Sequence, residues 1–177
     1  MYADDLKMCH SVYHLSCMNL IQNDLTRLKV WCKFNKLLFN FNKYRVIRFS
    51  RKTNLKIFNY SLGGTMLDNP DSIRDLETIF SYDLSFAEHL ESNISHAFRS
   101  LCLIQRTAGL FNDTNTLRLL YYTLVRPILE YGSLIWSPYY NTYIDALERP
   151  QHKFLRLAAY HSGDLCLDTL IRYDTIR

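Results

Sequence analysis

At Leu84 the spacing of apolar residues changes its period, and that change constrains the fold more than any other feature of the chain. Before it stand short runs rich in aromatic and β-branched residues: Leu37–Phe41, Val46–Phe49, Leu55–Tyr60 and Ile73–Phe80. Asn42-Lys43, Arg51–Asn54, Gly63-Gly64 and Asn69-Pro70 separate them, and these are turn-forming residues. After Leu84 the apolar residues recur every three or four positions, as on a helix with one buried face. The chain therefore reads as α+β, with a mixed part over 1–84 and an all-α part over 85–177.

Three stripes are visible in the second part. Leu90, Ile94, Phe98, Leu101 and Ile104 or Gln105 mark one helix, with Gly109 as its expected C-cap. Thr114 or Thr116 is expected to cap a second, which carries Leu117, Leu120, Tyr121, Leu124 and Ile128. Pro127 lacks an N–H and should kink or break it. A third helix should run from about Thr142, with Ile144, Leu147, Phe154, Leu155 and Ala158 on one face and Pro150 near its middle. Such narrow stripes must face one another to be buried, which predicts a small bundle. In the first part, Met18, Ile21, Leu25, Leu28 and Cys32 predict a helix from an N-cap at Ser16 to Phe34. Residues 1–13 alternate weakly and suit a hairpin around Asp4-Asp5.

A length of 177 residues with 48% hydrophobic and 14% aromatic content is enough for a packed core. No apolar run reaches membrane-spanning length, and an acidic pair stands where a signal peptide would be basic. The five cysteines are odd in number and scattered, as expected of reduced thiols. The expectation is an intracellular protein, nuclear or cytoplasmic, neither secreted nor in a membrane. Cys9, His10, His14 and Cys17 lie close together, but they show no C-x-x-C pair and no second half-site. They read as side chains on a strand and a helix start.

Charge is unevenly placed. Arg27, Lys29, Lys33, Lys36, Lys43, Arg45, Arg48, Arg51, Lys52 and Lys56 fall in one stretch without a single Asp or Glu, and the rest of the chain is net acidic. Trp31, Phe34, Phe39, Phe41, Tyr44 and Phe49 are interleaved with them. Lysine and arginine neutralise phosphates and release counterions, while aromatic faces can stack bases. The alternative is a solvated strand surface with its aromatics in the core. As nucleic-acid contacts the stretch offers Lys36, Arg45, Arg48, Arg51 and Lys52 above all.

Asp4 and Asp5 are adjacent carboxylates behind Tyr2-Ala3. Hard oxygen donors held together on a tight turn suit Mg²⁺, and nucleotidyl transfer needs two such ions. Tyr2-Ala3-Asp4-Asp5 resembles the Tyr-X-Asp-Asp box of reverse transcriptases. Further segments follow in order: Asp24-Leu25 through Trp31, Leu38 to Lys43, Ile73-Arg74-Asp75-Leu76, and Leu84 to His89. Leu124 to Gly132, Ile135-Trp136-Ser137-Pro138 and Gln151 to Arg156 complete the series. Together they resemble the C-terminal half of the reverse transcriptase of a non-LTR, LINE-type (jockey-like) retrotransposon, over nearly the whole chain.

The resemblance implies a partial palm (β-hairpin, helix and antiparallel strands) followed by an all-α thumb-like bundle. It implies that Asp4 and Asp5 bind Mg²⁺, that Tyr2 flanks the primer terminus and incoming nucleotide, and that Lys43 assists pyrophosphate departure as a general acid or simply faces phosphate. A hairpin around Ile73–Ile79 matches the element that grips the primer, and RNA template and DNA primer are the implied partners. The family's third carboxylate and its fingers lie upstream of the box, so these 177 residues alone are expected to be inactive. The alternative is a non-enzymatic retroelement remnant with weak, sequence-independent nucleic-acid binding. Two residues depart from the family pattern: Glu77 stands after Leu76 where glycine is usual, and Pro150 stands where an apolar residue is usual.

Overall fold

The computed structural model describes residues 6–37, 40, 43–50, 58–110 and 113–162. It is a mixed α+β structure of helices and two small antiparallel sheets. Its contacts separate two compact units. One takes the described residues up to Ile73 with Ser81–Leu84, and the other takes Arg74–Phe80 with the described residues from Ser85 onward.

The first unit is built on α1, Leu15–Phe34. The apolar stripe is real: Met18, Ile21, Leu25 and Leu28 are half-buried and Cys32 is buried. The expected cap is not. His14 is the N-cap, with no side-chain hydrogen bond, and Ser16 lies within the first turn. At the other end Leu37 donates its N–H to the Cys32 carbonyl (2.9 Å) and Lys36 to the Lys33 carbonyl (3.3 Å). This double bond closes a helix with a left-handed residue, a place that favours glycine, yet Lys36 occupies it at φ 57°.

A hairpin follows, β1 (Ser61–Leu62) and β2 (Thr65–Met66), with Ser61 opposite Met66 and Leu62 opposite Thr65. Its turn needs two left-handed residues, which Gly63 (φ 71°) and Gly64 (φ 94°) supply at no steric cost. Leu62 and Tyr60 are buried beneath it. The side-chain amide of Gln22 on α1 reads Ser61 as a neighbouring strand would: Nε2 donates to its carbonyl (2.8 Å) and Oε1 accepts its N–H (3.0 Å).

Val46–Phe49, expected to be a strand, forms none among the described residues. Val46 donates its N–H to the Asp68 carbonyl (2.9 Å) and Ser50 its N–H to the Tyr82 carbonyl (3.0 Å). Of the expected Leu55–Tyr60 run, the described Phe58–Tyr60 precedes β1 without belonging to it. Most of the Leu37–Phe41 run lies outside the described residues. The Ile73–Phe80 run is a hairpin, β3 (Ser72–Asp75) paired with β4 (Thr78–Ser81).

The second unit is mostly helical: α2 (Ala87–Thr107), α3 (Thr114–Leu124), α4 (Arg126–Glu130), α5 (Ser133–Trp136) and α6 (Asn141–Ser162). Its core joins Ala97, Leu101 and Ile104 of α2 to Leu117 and Tyr121 of α3, Leu129 of α4, and Phe154 and Ala158 of α6. Tyr121 stacks on Phe154 with centroids 4.2 Å apart and planes at 14°. Each large side chain buried here contributes on the order of 1.5–3 kcal/mol.

Two expected termini are corrected. Gly109 is not a left-handed C-cap, because α2 ends at Ala108 in right-handed geometry and tightens into a 3₁₀ turn over Ala108–Leu110. Asp113, rather than Thr114 or Thr116, caps α3: its Oδ1 accepts the Asn115 N–H (3.0 Å) and its Oδ2 the Thr116 hydroxyl (3.3 Å). Pro127 acts as expected. The helix breaks at Val125, and the proline sits in the first turn of α4, where its missing N–H is harmless. By contrast α6 runs straight through Pro150, which is fully buried.

Candidate functional site

Asp4, Asp5 and Tyr2, the residues of the acidic box, lie outside the described residues, as do Arg51 and Lys52. Among the described residues no group of three His, Cys, Asp or Glu side chains is placed to hold a metal.

The remaining basic positions are not equivalent. Lys43 is exposed, its N–H bonded to the Asn40 carbonyl (3.0 Å). Lys36 points from the helix-closing turn described above, and it too is exposed. Arg45 pairs with Asp68 across 3.4 Å, beside the short parallel bridge those two residues form, and donates to the Tyr44 carbonyl (3.2 Å). Arg48 is half-buried, and its Nη2 donates to the Phe58 carbonyl. The half-buried guanidinium thus works inside the unit, tying two stretches of backbone. Lys29 and Lys33 on α1 are exposed, alongside Val30, Trp31 and Phe34. Burial raises the pKa of Tyr44 and Tyr60, the latter against the opposing pull of the Arg48 charge. Both phenols stay neutral and serve as packing groups.

In the second unit, residues of four segments singled out in the sequence meet around one hairpin. The Tyr131 hydroxyl donates to the Leu76 carbonyl (3.2 Å). The Ile79 N–H donates to Nδ1 of His89 (3.3 Å). Trp136 donates its indole N–H to the Tyr131 carbonyl (2.7 Å) and presents its ring to the His89 ring, with centroids 5.4 Å apart at 64°. Gly132 is left-handed at φ 69°, and a Cβ there would lie 3.5 Å from the Thr78 hydroxyl and from the Trp136 indole nitrogen. The backbone angle favours glycine, while a Cβ at these distances would make only ordinary contact.

His89 is the chemically distinctive member. Its ring is 1% exposed, and both nitrogens have partners, Nε2 lying 3.0 Å from the Asn93 amide. An Nδ1 that accepts the Ile79 N–H leaves the ring proton on Nε2, so Asn93 must turn its amide oxygen toward it. Burial, and after it the charge of Arg74, holds the imidazolium below the usual histidine range. His89 is thus a neutral structural acceptor, and its pattern in the sequence is only that of a polar residue on the apolar face of α2.

No helix of the described residues is long and apolar enough to cross a membrane. Compared with known protein families, with curated proteins and with solved structures, the chain finds no match in any of the three.

Proposed function

We propose that the chain carries the acidic-box part of the palm, and the thumb, of an RNA-directed DNA polymerase of the non-LTR retrotransposon type. The observation that carries the reading is the convergence at the β3–β4 tip. Ile73 to Leu76, Leu84 to His89, Leu124 to Gly132 and Ile135 to Pro138 are four of the segments that carry the resemblance. Leu76, His89, Tyr131 and Trp136 meet through hydrogen bonds and ring contact around one hairpin. An α+β first part followed by a helical part also agrees with the palm-then-thumb order.

In this reading Asp4 and Asp5 hold Mg²⁺, which supplies charge neutralisation on the phosphates during attack by a primer 3′-hydroxyl. Tyr2 flanks the incoming nucleotide, Lys43 gives a proton to the departing pyrophosphate or steadies it, and the exposed lysines of the basic stretch bind the strand backbone. The partners are an RNA template and a DNA primer, reached inside the cell. The hairpin over Ser72–Ser81 grips the primer.

Primer extension tests this. The 177 residues alone are expected to incorporate nothing, since the box supplies two of the three carboxylates the family uses. Fused behind the fingers and first palm segment of a LINE-type enzyme, they should extend a DNA primer on an RNA template, and Asp4→Ala with Asp5→Ala should abolish it. A well-folded fusion that never extends a primer would instead favour a non-enzymatic remnant that binds nucleic acid weakly.

A further inference from the structure

The helical unit carries a basic cleft that lies outside the Arg27–Lys56 stretch. It opens between α2 and the C-terminal half of α6, with a volume of about 430 Å³. Its floor is apolar, formed by buried Leu101 and half-buried Leu157. Lys153, Arg156 and His161 stand over that floor from α6, and the Gln105 amide faces them from α2. Among the described residues no carboxylate lines the cleft, and none lies within ion-pair distance of these three side chains.

The like charges of Lys153 and Arg156, without an ion-pair partner among the described residues, repel one another and focus the field into the concavity. Such an arrangement persists at a cost that a bound anion removes. Lys153 is already posed, its Nζ lying 5.7 Å from the centroid of the Phe98 ring, which limits the freedom lost on binding. Arg156, one turn further along, offers the planar fork that matches phosphate oxygens. Tyr160, 84% exposed at the rim, meets the His161 ring at 88° with centroids 5.9 Å apart, and its exposed ring can stack on a base. The volume exceeds what a bare phosphate needs and falls in the range of small-ligand sites.

We propose that this cleft binds a phosphate group carrying a nucleoside, as a step of a nucleic-acid strand, through Lys153, Arg156 and Gln105, with Tyr160 stacked on the base. The strand as the source of the phosphate rests on the nucleic-acid reading above; the anion chemistry rests on the cleft alone. The same chemistry would admit a free phosphate ligand, and the experiment separates the two.

The full chain is titrated into a labelled single-stranded uridine dodecamer at several salt concentrations, and separately with inorganic pyrophosphate followed by phosphorus NMR. Lys153→Gln with Arg156→Gln is expected to weaken RNA binding by about tenfold. It should also reduce the salt slope by about 1.4, two contacts at about 0.7 each on a single strand. Lys153→Arg alone, which keeps both charges and the Arg156 fork, should retain binding. Both positions are exposed, and circular dichroism checks that each variant folds. Pyrophosphate binding that depends on Lys153 and Arg156, in a chain that binds no RNA, would support the cleft as a free-phosphate site and remove the strand reading. RNA binding lost only in Arg51→Gln with Lys52→Gln would overturn the cleft and leave the basic stretch. Binding of neither probe overturns it as well.

Discussion

Ile79 donates its backbone N–H to Nδ1 of His89 across 3.3 Å, so a helix side chain takes the place of a neighbouring strand at a hairpin. The bond exists only while the imidazole is neutral, because a protonated ring has no acceptor nitrogen. That single proton couples the hairpin to pH.

The folded-state pKa of His89 is lowered, by burial first and by Arg74 second. As pH falls through the ordinary histidine value of about 6.5, the unfolded chain takes up the proton and the folded chain does not. For this group stability is constant above about pH 6.5, declines below it by up to about 1.4 kcal/mol per pH unit, and levels off beneath the folded pKa. Urea unfolding at pH 7.5, 6.5, 5.5 and 4.5 should show the decline. In His89→Gln, whose side chain does not titrate, the decline between pH 6.5 and 5.5 should be smaller. Parallel curves for the two proteins would remove the coupling.

Glu77→Gly should stabilise the chain. Leu76 (φ 44°) and Glu77 (φ 63°) are both left-handed, the geometry of a two-residue hairpin turn that prefers glycine at its second position. A left-handed residue other than glycine costs about 1–2 kcal/mol. The exposed Arg74–Glu77 ion pair at 3.2 Å offsets little of that. Glycine also loosens the unfolded chain, by about 0.4–1 kcal/mol, leaving a net gain of about 0.5 kcal/mol. In a chain of this size that raises Tm by about 1–2 °C by calorimetry. Glu77→Gln keeps the strain and removes the ion pair, so it should give no rise. A rise in both variants would assign the effect to charge.

Pro150→Val should also raise Tm. Pro150 lies inside α6 and is fully buried, so the Ala146 carbonyl receives no N–H from it, and a mid-helix proline costs about 3 kcal/mol. Proline returns part of this by restricting the unfolded chain, about 0.4–1 kcal/mol. The expected gain is about 1 kcal/mol or more, a shift of about 2–4 °C. A fall in Tm would mean that the packing of the proline ring outweighs the missing N–H.

Much of the helical unit was legible because its information is local. The stripe Leu90, Phe98, Leu101, Ile104 and the break at Pro127 follow from side-chain period and from one missing N–H. Helix ends were less legible. Thr114 and Asp113 are both good caps, and which one serves depends on where the backbone leaves helical angles. Gly109 permits a left-handed turn without requiring one, and a 3₁₀ turn uses the last carbonyls instead.

The candidate site divides along the same line. A list of basic residues does not distinguish Arg45, paired with Asp68, or Arg48, spent on the Phe58 carbonyl, from the exposed Lys29 and Lys33. By itself the sequence determined the change of period at Leu84, the placement of the four long helices and the asymmetry of charge, since each is a property of neighbours along the chain. Only the tertiary structure decided that Leu76, His89, Tyr131 and Trp136 meet, and that Lys153 and Arg156 stand over an apolar cleft beside Gln105. Burial and hydrogen bonding act between residues distant in sequence, and no local pattern says which distant group will be the partner.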